Sequence, residues 1–279
     1  MVGWVDLILG CERNLVANMS RWHVYDAEEW NPVFPTASDV PNQVIIATWN
    51  IDAFTAASSA RTAAILDHVL SQEPRPSIIF LQEVNAQSVS TIHSNQIVRE
   101  SFYSSQSPHV DTGIFTTVTL ISKDLTPSKL NRVPFESRFQ RDALCCDVKV
   151  GNGALRLVNV HLDSLAYTPS LRPGQLSLAA GMLKKVQCGL VAGDFNPVLP
   201  EDGTLVEENE LVDAWKELRP DEEGYTWGVD GKASFPANRM DKIAVWKLKP
   251  TSIRVMHPGS VGEVPWSDHS GLYCTLELP

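Results

Sequence analysis

From residue 43 onward, short apolar runs recur along the chain, and each ends on a polar residue. Val44-Ile45-Ile46-Ala47-Thr48-Trp49 leads to Asn50, and Ile78-Ile79-Phe80-Leu81-Gln82 leads to Glu83. Leu155-Arg156-Leu157-Val158-Asn159-Val160 leads to His161, and Leu190-Val191-Ala192-Gly193 leads to Asp194. Their length and β-branched content predict strands. Near-continuous apolarity predicts burial on both faces, so other layers must cover the sheet. Further strands are expected over 113–121, 143–150, 241–248 and 271–278.

Helices fit between these runs. Leu176, Ala179, Ala180 and Leu183 fall at i, i+3, i+4 and i+7, with Lys184-Lys185 in the last turn, where the helix dipole favours cations. Two more are expected over 58–71 and 86–98. Residues 1–42 carry Trp and are punctuated by Pro32, Pro35 and Pro41, which reads as an irregular N-terminal arm, packed on the domain or partly mobile. No linker divides 43–279, so a single α/β domain with sheets inside and helices outside is the simplest architecture.

In α/β folds the carboxyl ends of strands are where sites assemble. Asn50, Glu83, His161 and Asp194 gather along one edge if their strands are neighbours. Asn196 follows Asp194 by two residues, and Asp241, Asp268 and His269 each stand at the start of an expected strand. Such a set of carboxylates, amides and imidazoles offers hard oxygen ligands suited to Mg²⁺ or Mn²⁺, which keep several waters and bind phosphate oxygens. His23, His68, His93, His109 and His257 are scattered singly without zinc spacing, and neither a phosphate loop with Lys nor a Gly-x-Ser-x-Gly elbow is present. Each polar strand end by itself is more often a turn former than a catalyst; number and order change that.

Charge and cysteine content refine the picture. The 279 residues sum to a net charge of −10, which at first argues against nucleic acid. Eleven acids and two bases between 200 and 230 supply nine of those ten charges, which reads as a solvated acidic loop and helix. Outside that segment, residues 121–279 hold sixteen bases against ten acids. The half expected to face substrate is locally basic. Five cysteines, two of them adjacent at Cys145 and Cys146, do not resemble a disulfide framework. Val5-Asp6-Leu7-Ile8-Leu9 is a poor signal peptide, and no apolar run approaches the ~18 to 20 residues of a membrane helix. An intracellular place, nuclear or cytoplasmic, with no membrane association is expected.

Six ordered motifs over about residues 43–279 resemble the Mg²⁺-dependent endonuclease/exonuclease/phosphatase superfamily. They are Thr48-Trp49-Asn50-Ile51, Phe80-Leu81-Gln82-Glu83-Val84, Asn159-Val160-His161-Leu162, Gly193-Asp194-Phe195-Asn196, Arg239-Met240-Asp241-Lys242-Ile243 and Ser267-Asp268-His269-Ser270-Gly271. Within it, the chain is similar to the 5′-tyrosyl-DNA phosphodiesterase branch. The pointers are Asp52 after the first motif, Phe115-Thr116-Thr117, Arg141-Asp142-Ala143-Leu144-Cys145-Cys146, Asp163-Ser164 after His161, and Tyr225-Thr226-Trp227.

The resemblance implies a four-layer α/β/β/α sandwich of two packed mixed sheets with helices outside. It also implies that Glu83 holds Mg²⁺ (Mn²⁺ being the other candidate), with Asp268 and the Asn50 amide helping. Asp194 would orient and deprotonate the attacking water with Asn196, while His161 and His269 donate to phosphoryl oxygens and Asp241 positions His269. Asn50 and Asp241 thus count among the catalytic candidates. For substrate binding it suggests Trp227 as a stacking wall, Arg141 as a phosphate contact, and Phe115 and Arg239 beside them. Two departures stand out: the branch's arginines after its Gly-Asp-x-Asn and His motifs are replaced here by Val198 and Ala166, with Arg172 or Lys184 as candidate compensators.

The implied activity is hydrolysis of a 5′-phosphotyrosyl or similar adduct at a DNA end, a DNA-repair role performed by a monomer. Its partners would be the single-stranded 5′ end of DNA or a DNA–peptide adduct. An exonuclease or phosphatase of the same fold acting on RNA, DNA or a small phosphate ester is the alternative. A non-catalytic protein binding through its acidic segment is the second.

Overall fold

The computed structural model describes residues 19–35, 42–108, 112–151, 153–231 and 235–279. Two large mixed sheets pack face to face. One runs, in spatial order, Met19–Ser20, Pro127–Pro134, Asp142–Val150, Gly153–His161, Cys188–Asp194, Asp241–Trp246 and Val212–Asp213. The other runs Lys249–Met256, Gly271–Glu277, Gln43–Asn50, Ile78–Val84, Thr116–Ser122, Phe102–Ser104, Trp22–Asp26 and Glu29–Val33.

Side-chain alternation along the strands builds the layers. Val44, Ile46, Ile78 and Phe80 face Leu155, Leu157, Leu190 and Ile243 in the core between the sheets. Ile45, Ala47, Trp49 and Leu81 point the other way, under the helices Ser58–Leu70 and Ala86–Ser94. On the far side Val158, Val160 and Val191 meet Leu176, Ala179, Ala180 and Leu183 of the helix Arg172–Leu183. The expected four-layer α/β/β/α sandwich is therefore present, and the apolar runs are buried on both faces because each sheet has a sheet on one side and helices on the other.

Several elements differ from the sequence reading. The single helix expected over 86–98 is two, Ala86–Ser94 and Gln96–Ser101. Asn95 takes an extended backbone and its side chain accepts from the Val98 N–H, so it caps the second helix instead of continuing the first. Pro127–Pro134 and Lys249–Met256 are strands that prolines and polar residues disguised as turns. Within the arm expected to be irregular, Trp22–Asp26 and Glu29–Val33 form a hairpin that joins the second sheet where His23 pairs with Ser104. Residues 1–18 and 36–41 of that arm lie outside the described residues.

The acidic segment contains the expected helix, as Leu205–Glu208 and Ala214–Leu218, but two of its acids are not solvated. Asp202 and Asp213 are buried, and each is consumed by an arginine: Arg172 Nε donates to Asp202 at 2.9 Å, and Arg239 makes a two-pronged pair with Asp213 at 2.9 and 2.7 Å. Burial alone would raise the Asp213 carboxyl, but the Arg239 hydrogen bonds and charge hold it below the usual range.

Between the sheets, beneath the site, lies a buried polar bridge. Gln82 Nε2 donates to Asn159 Oδ1 at 2.9 Å and to Thr48 Oγ1 at 3.1 Å, while Asn159 Nδ2 donates to the Val118 carbonyl at 3.0 Å. Gly193 fits closely here: a Cβ on it would lie 2.0 Å from the Val160 carbonyl oxygen, and its φ of +136° suits only glycine well.

Candidate active site

The strand pairings decide which polar ends meet. His161 pairs in register with Asp194, Asp194 with Asp241, and in the other sheet Asn50 with Gln82. Asn50 and Glu83 therefore come from one sheet, His161, Asp194 and Asp241 from the other, all at the same end. Glu83 sits at a bulge in the pairing of its strand with Thr116–Ser122, at φ +56°. The bulge and the left-handed backbone turn its carboxylate out of the ladder towards the seam.

Asn50 links the two sheets. Its Nδ2 donates to Glu83 Oε1 at 3.2 Å and to Asp194 Oδ2 at 3.0 Å, while its Oδ1 accepts from the Asp52 N–H at 3.1 Å. One lone pair of the amide oxygen is therefore engaged by backbone, and the amide nitrogen keeps two like charges side by side.

Asp194 is fully buried. Its other oxygen accepts from the Asn196 N–H at 2.9 Å, and Asn196, at φ +46°, donates from Nδ2 to the Leu162 carbonyl. His161 Nε2 lies 3.4 Å and His269 Nε2 3.8 Å from Asp194 Oδ2. Burial raises the Asp194 carboxyl to about 7, with His269 opposing and Asp241 adding to the rise.

His269 Nδ1 donates to Asp241 Oδ2 at 2.8 Å, which leaves Nε2 aimed at Asp194. The Trp49 indole N–H donates to the His269 carbonyl at 2.9 Å, and the His269 N–H donates to Ser267 Oγ at 3.1 Å, so backbone and ring are both fixed. Burial works against a charged imidazole, but Asp241 and Asp194 together outweigh it and lift His269 to about 10. His269 is the cationic imidazole of the site.

His161 is the neutral one. Burial, reinforced by Arg141 and His269, holds it well below the usual imidazole range. Its Nε2 is 3.2 Å from Arg141 Nη2, and its Nδ1 is buried without a partner. Arg141 is only 9% exposed, its Nε has no acceptor, and a second bond from Nη2 reaches Ser164 Oγ at 3.2 Å. A desolvated guanidinium that lines an open cavity, within the field of Asp194 and Glu83, offers an incoming anion its charge and its fork of donors. It does not pair with Asp142, which is held by Arg132 at 2.9 Å.

The cavity has a volume of about 770 Å³ and opens from Glu83, His161 and Arg141 between Phe54, Phe115 and Phe139. Phe115 stacks on His161 at 5.9 Å and under Arg141 at 4.9 Å. Trp227 lies across the site, donating from Nε1 to Asp268 Oδ2 at 3.0 Å and bridging through backbone to His269.

Three sequence candidates end up elsewhere. Arg239 is buried against Asp213 and cannot reach a substrate. Arg172 is committed to Asp202, and Lys184 pairs with Glu210, so neither replaces the arginines absent at Val198 and Ala166. Arg61 is a residue the sequence did not reveal. Fully buried, it donates all five N–H groups to carbonyls: Ala56, Ile51, Trp266, Asp52 and Thr55. It ties the loop after Asn50 to the loop before Asp268. Its position in an ordinary amphipathic helix carried no signal of this.

Among the described residues, no three His, Cys, Asp or Glu side chains form a ready-made metal cage. Of the two carboxylates expected to hold a metal, Glu83 lies at the seam beside Asn50, and Asp268, exposed, accepts at Oδ2 from the Trp227 indole N–H. Two hard oxygen donors suit Mg²⁺ or Mn²⁺, which retain waters and take further oxygens from phosphate. Glu83 is held in place by Asn50 and by the Ala53 N–H at 3.1 Å.

Two stacked mixed sheets sheathed in helices, with a buried Asp flanked by imidazoles at their seam, define a phosphoesterase-type α/β sandwich. The model of the endonuclease/exonuclease/phosphatase family matches residues 47–269, and the chain belongs to that family. It is similar to tyrosyl-DNA phosphodiesterase 2 of Mus musculus and of Rattus norvegicus, 27% identical in each case over 83% of this chain. It spans 65% of the length of the first and 66% of the second. Among solved structures, D. rerio TDP2 complexed with single strand DNA product aligns with a TM-score of 0.72 at 22% identity, over 85% of this chain and all of that one. C. elegans TDP2 gives 0.69 at 21% identity, over 84% of this chain and 75% of that one. The human Nocturnin catalytic domain gives 0.64 at 18% identity, over 87% of this chain and 96% of that one. The sequence resemblance to this family and to its tyrosyl-DNA phosphodiesterase branch holds.

Proposed function

We propose that this chain is a divalent-metal-dependent phosphodiesterase that cleaves a 5′-phosphotyrosyl or similar adduct from a DNA end, in the service of DNA repair. The observation that carries the reading is Asp194, a buried carboxylate fixed by Asn50 and Asn196 and flanked by two imidazoles. Arg141, desolvated and lining the cavity, places its positive charge within reach of Asp194. The likeness to proteins named tyrosyl-DNA phosphodiesterase 2, and a fold shared with one solved with single-strand DNA product, support the choice of substrate.

Asp194 orients the attacking water and takes its proton, and a carboxyl raised to about 7 is a better base than an exposed one. His269, charged and held by Asp241, donates from Nε2 to a phosphoryl oxygen. Arg141 binds another phosphoryl oxygen, with His161 beside it. A new P–O bond to water forms as the bond to the tyrosyl oxygen breaks, leaving a 5′-phosphate and a phenolate that takes a proton from solvent. Glu83 and Asp268 would hold Mg²⁺ or Mn²⁺, which supplies compensation for the charge developing on the phosphoryl and leaving oxygens. The rest of the catalysis is position and fixed charge.

The test is release of 5′-phosphate DNA from a synthetic 5′-tyrosyl oligonucleotide with Mg²⁺, with Mn²⁺ and with EDTA. Turnover that needs the metal and disappears in Glu83→Gln is expected; turnover indifferent to both sinks the reading. An RNA, inositol phosphate or aryl phosphodiester cleaved far faster than any DNA end replaces the substrate but not the chemistry. The same reading has the chain act as an intracellular monomer, in nucleus or cytoplasm, which fractionation and light scattering check. The described cysteines, Cys145, Cys146, Cys188 and Cys274, are all buried free thiols, as a reducing compartment favours.

A further inference from the structure

Arg141 ends a loop, 135–141, that joins the strands Pro127–Pro134 and Asp142–Val150. Gln140, just before it, stands at φ +57°, a backbone that a residue other than glycine keeps only where its surroundings hold it. The Phe135 N–H closes the loop by donating to the Arg141 carbonyl at 3.0 Å. Inside it, Ser137 Oγ accepts from the Phe139 N–H at 2.9 Å and from the Arg141 N–H at 3.0 Å. Phe139 in turn lays its ring centre 5.5 Å from the Arg141 guanidinium. The Ser137 hydroxyl donates its own proton to Asp163 Oδ1 at 2.5 Å. One proton and two lone pairs are all a hydroxyl has, and here all three are used.

Asp163 is buried and comes from a different loop, two residues after His161. Its carboxylate also accepts from the Arg138 N–H at 3.0 Å and from Gln175 Nε2 at 2.8 Å. Its own backbone is fixed by the helix Arg172–Leu183: the Asp163 N–H donates to Gln175 Oε1 at 2.9 Å, and its carbonyl accepts from Arg172 Nη1 at 2.8 Å. The next residue is Ser164, whose Oγ accepts from Arg141 Nη2 at 3.2 Å. Asp163 therefore grips Arg141 at both ends, the main chain through Ser137 and the guanidinium through the residue bonded to it. Burial lowers the Arg141 guanidinium, and Asp163 joins Asp194 and Glu83 in opposing that.

We propose that Asp163 and Ser137 are positioning residues for Arg141, the carboxylate–hydroxyl pair setting the orientation in which the guanidinium meets a phosphoryl oxygen beside Asp194. The proposal deepens the phosphodiesterase reading and rests on it through the role given there to Arg141, whatever the leaving group is. A long side chain carries many rotamers, and fixing its main chain and its tip beforehand removes that cost from substrate binding. Arg239 and Arg172 are spent on Asp213 and Asp202, so neither stands in for a misplaced Arg141.

A double-mutant cycle tests this. Steady-state hydrolysis of bis-p-nitrophenyl phosphate and of a 5′-tyrosyl oligonucleotide is measured in Mg²⁺ for the whole chain and for Ser137→Ala, Ser137→Thr, Asp163→Asn, Arg141→Gln and the double variant Ser137→Ala with Arg141→Gln. Ser137→Ala leaves two N–H groups without their acceptor and is expected to lower kcat/KM about tenfold. Ser137→Thr keeps the hydroxyl and should stay within about twofold of the unsubstituted chain. Asp163→Asn sets an amide donor against at least one of three donors and should lose at least as much as Ser137→Ala. Once Arg141 is Gln, Ser137→Ala should cost less than about twofold, because the residue it acts through is gone. A purely structural role would cost the same factor in both backgrounds, so additive losses overturn the proposal. So do near-normal rates in both Ser137→Ala and Asp163→Asn. Thermal denaturation checks folding, and should Asp163→Asn unfold, the Ser137 variants decide alone. Turnover of the aryl diester without turnover of the tyrosyl substrate defeats the DNA-end reading and leaves the cycle intact. If neither ester is cleaved, the same cycle is read on binding of a 5′-phosphorylated trinucleotide by calorimetry in EDTA, where loss of affinity in Ser137→Ala only while Arg141 is present sustains the proposal, and equal loss or none overturns it.

Discussion

Asn50 Nδ2 lies 3.0 Å from Asp194 Oδ2, and that hydrogen bond crosses from one sheet to the other. The same nitrogen serves Glu83, so one amide sets the spacing between the residue assigned to the metal and the residue assigned to the water. The two halves of the chemistry are coupled through it.

Replacing Asn50 by Asp is expected to be far worse for turnover than its size suggests. A third carboxylate would stand between two others, with no N–H to offer either. Turnover should fall by at least about a hundredfold while cooperative unfolding persists. A single-turnover assay on a 5′-tyrosyl oligonucleotide measures it, and near-normal rates would show that the amide bridge is incidental.

Asp241→Asn removes the charge that steadies His269 while keeping its shape. The imidazole then loses its main anionic partner at Nδ1 and its tendency to stay protonated. A drop in kcat of about two orders of magnitude is expected, with KM changed much less. The reverse pattern, a KM effect alone, would place His269 in binding and not in the chemical step.

Arg61 should matter out of proportion to its distance from the reaction. All five of its N–H groups end on carbonyls, and Arg61→Met strands those carbonyls in a buried place. A loss of about 3 to 5 kcal/mol in urea denaturation is expected. Arg61→Lys can satisfy no more than three of the five and should recover only part of it. Full stability in either variant would mean that the two loops it ties hold themselves.

Lys242 offers a test by pH. Burial is the main cause, reinforced by Arg239, that lowers its ammonium from 10.5 to about 8. A folded pKa below the unfolded one means that the unfolded chain binds more protons between those values, so this residue adds stability as pH rises from about 8 to about 10.5. Compared with Lys242→Met, the unsubstituted chain should gain up to about 3 kcal/mol across that window. Equal pH profiles in the two would show that the ammonium is solvated.

Much of this protein was legible before folding. Apolar runs buried on both faces could only be central strands of a covered sheet, and Asn50, Glu83, His161 and Asp194 stood at their ends because a ladder stops where side chains turn polar. The starts of two later strands added Asp241, Asp268 and His269. Local periodicity cannot report edge strands such as Lys249–Met256, whose one wet face breaks the pattern. Nor could it report the break at Asn95, where a short side chain outcompetes the next helical turn.

What only the tertiary structure decided is the partner of each charge. Arg239 and Arg141 both stood among the candidates for substrate binding. Folding brings Asp213 to the first, 26 positions away, and gives the second a neutral imidazole, a hydroxyl and a place on the cavity wall. The placing of Arg141 likewise depends on Asp163, which joins two loops. Sequence pattern fixes which face of an element is apolar, since that depends on neighbours a few residues apart. Which buried charge meets which, and so which arginine is left for a substrate, depends on contacts between distant segments that exist only once the sheets have packed.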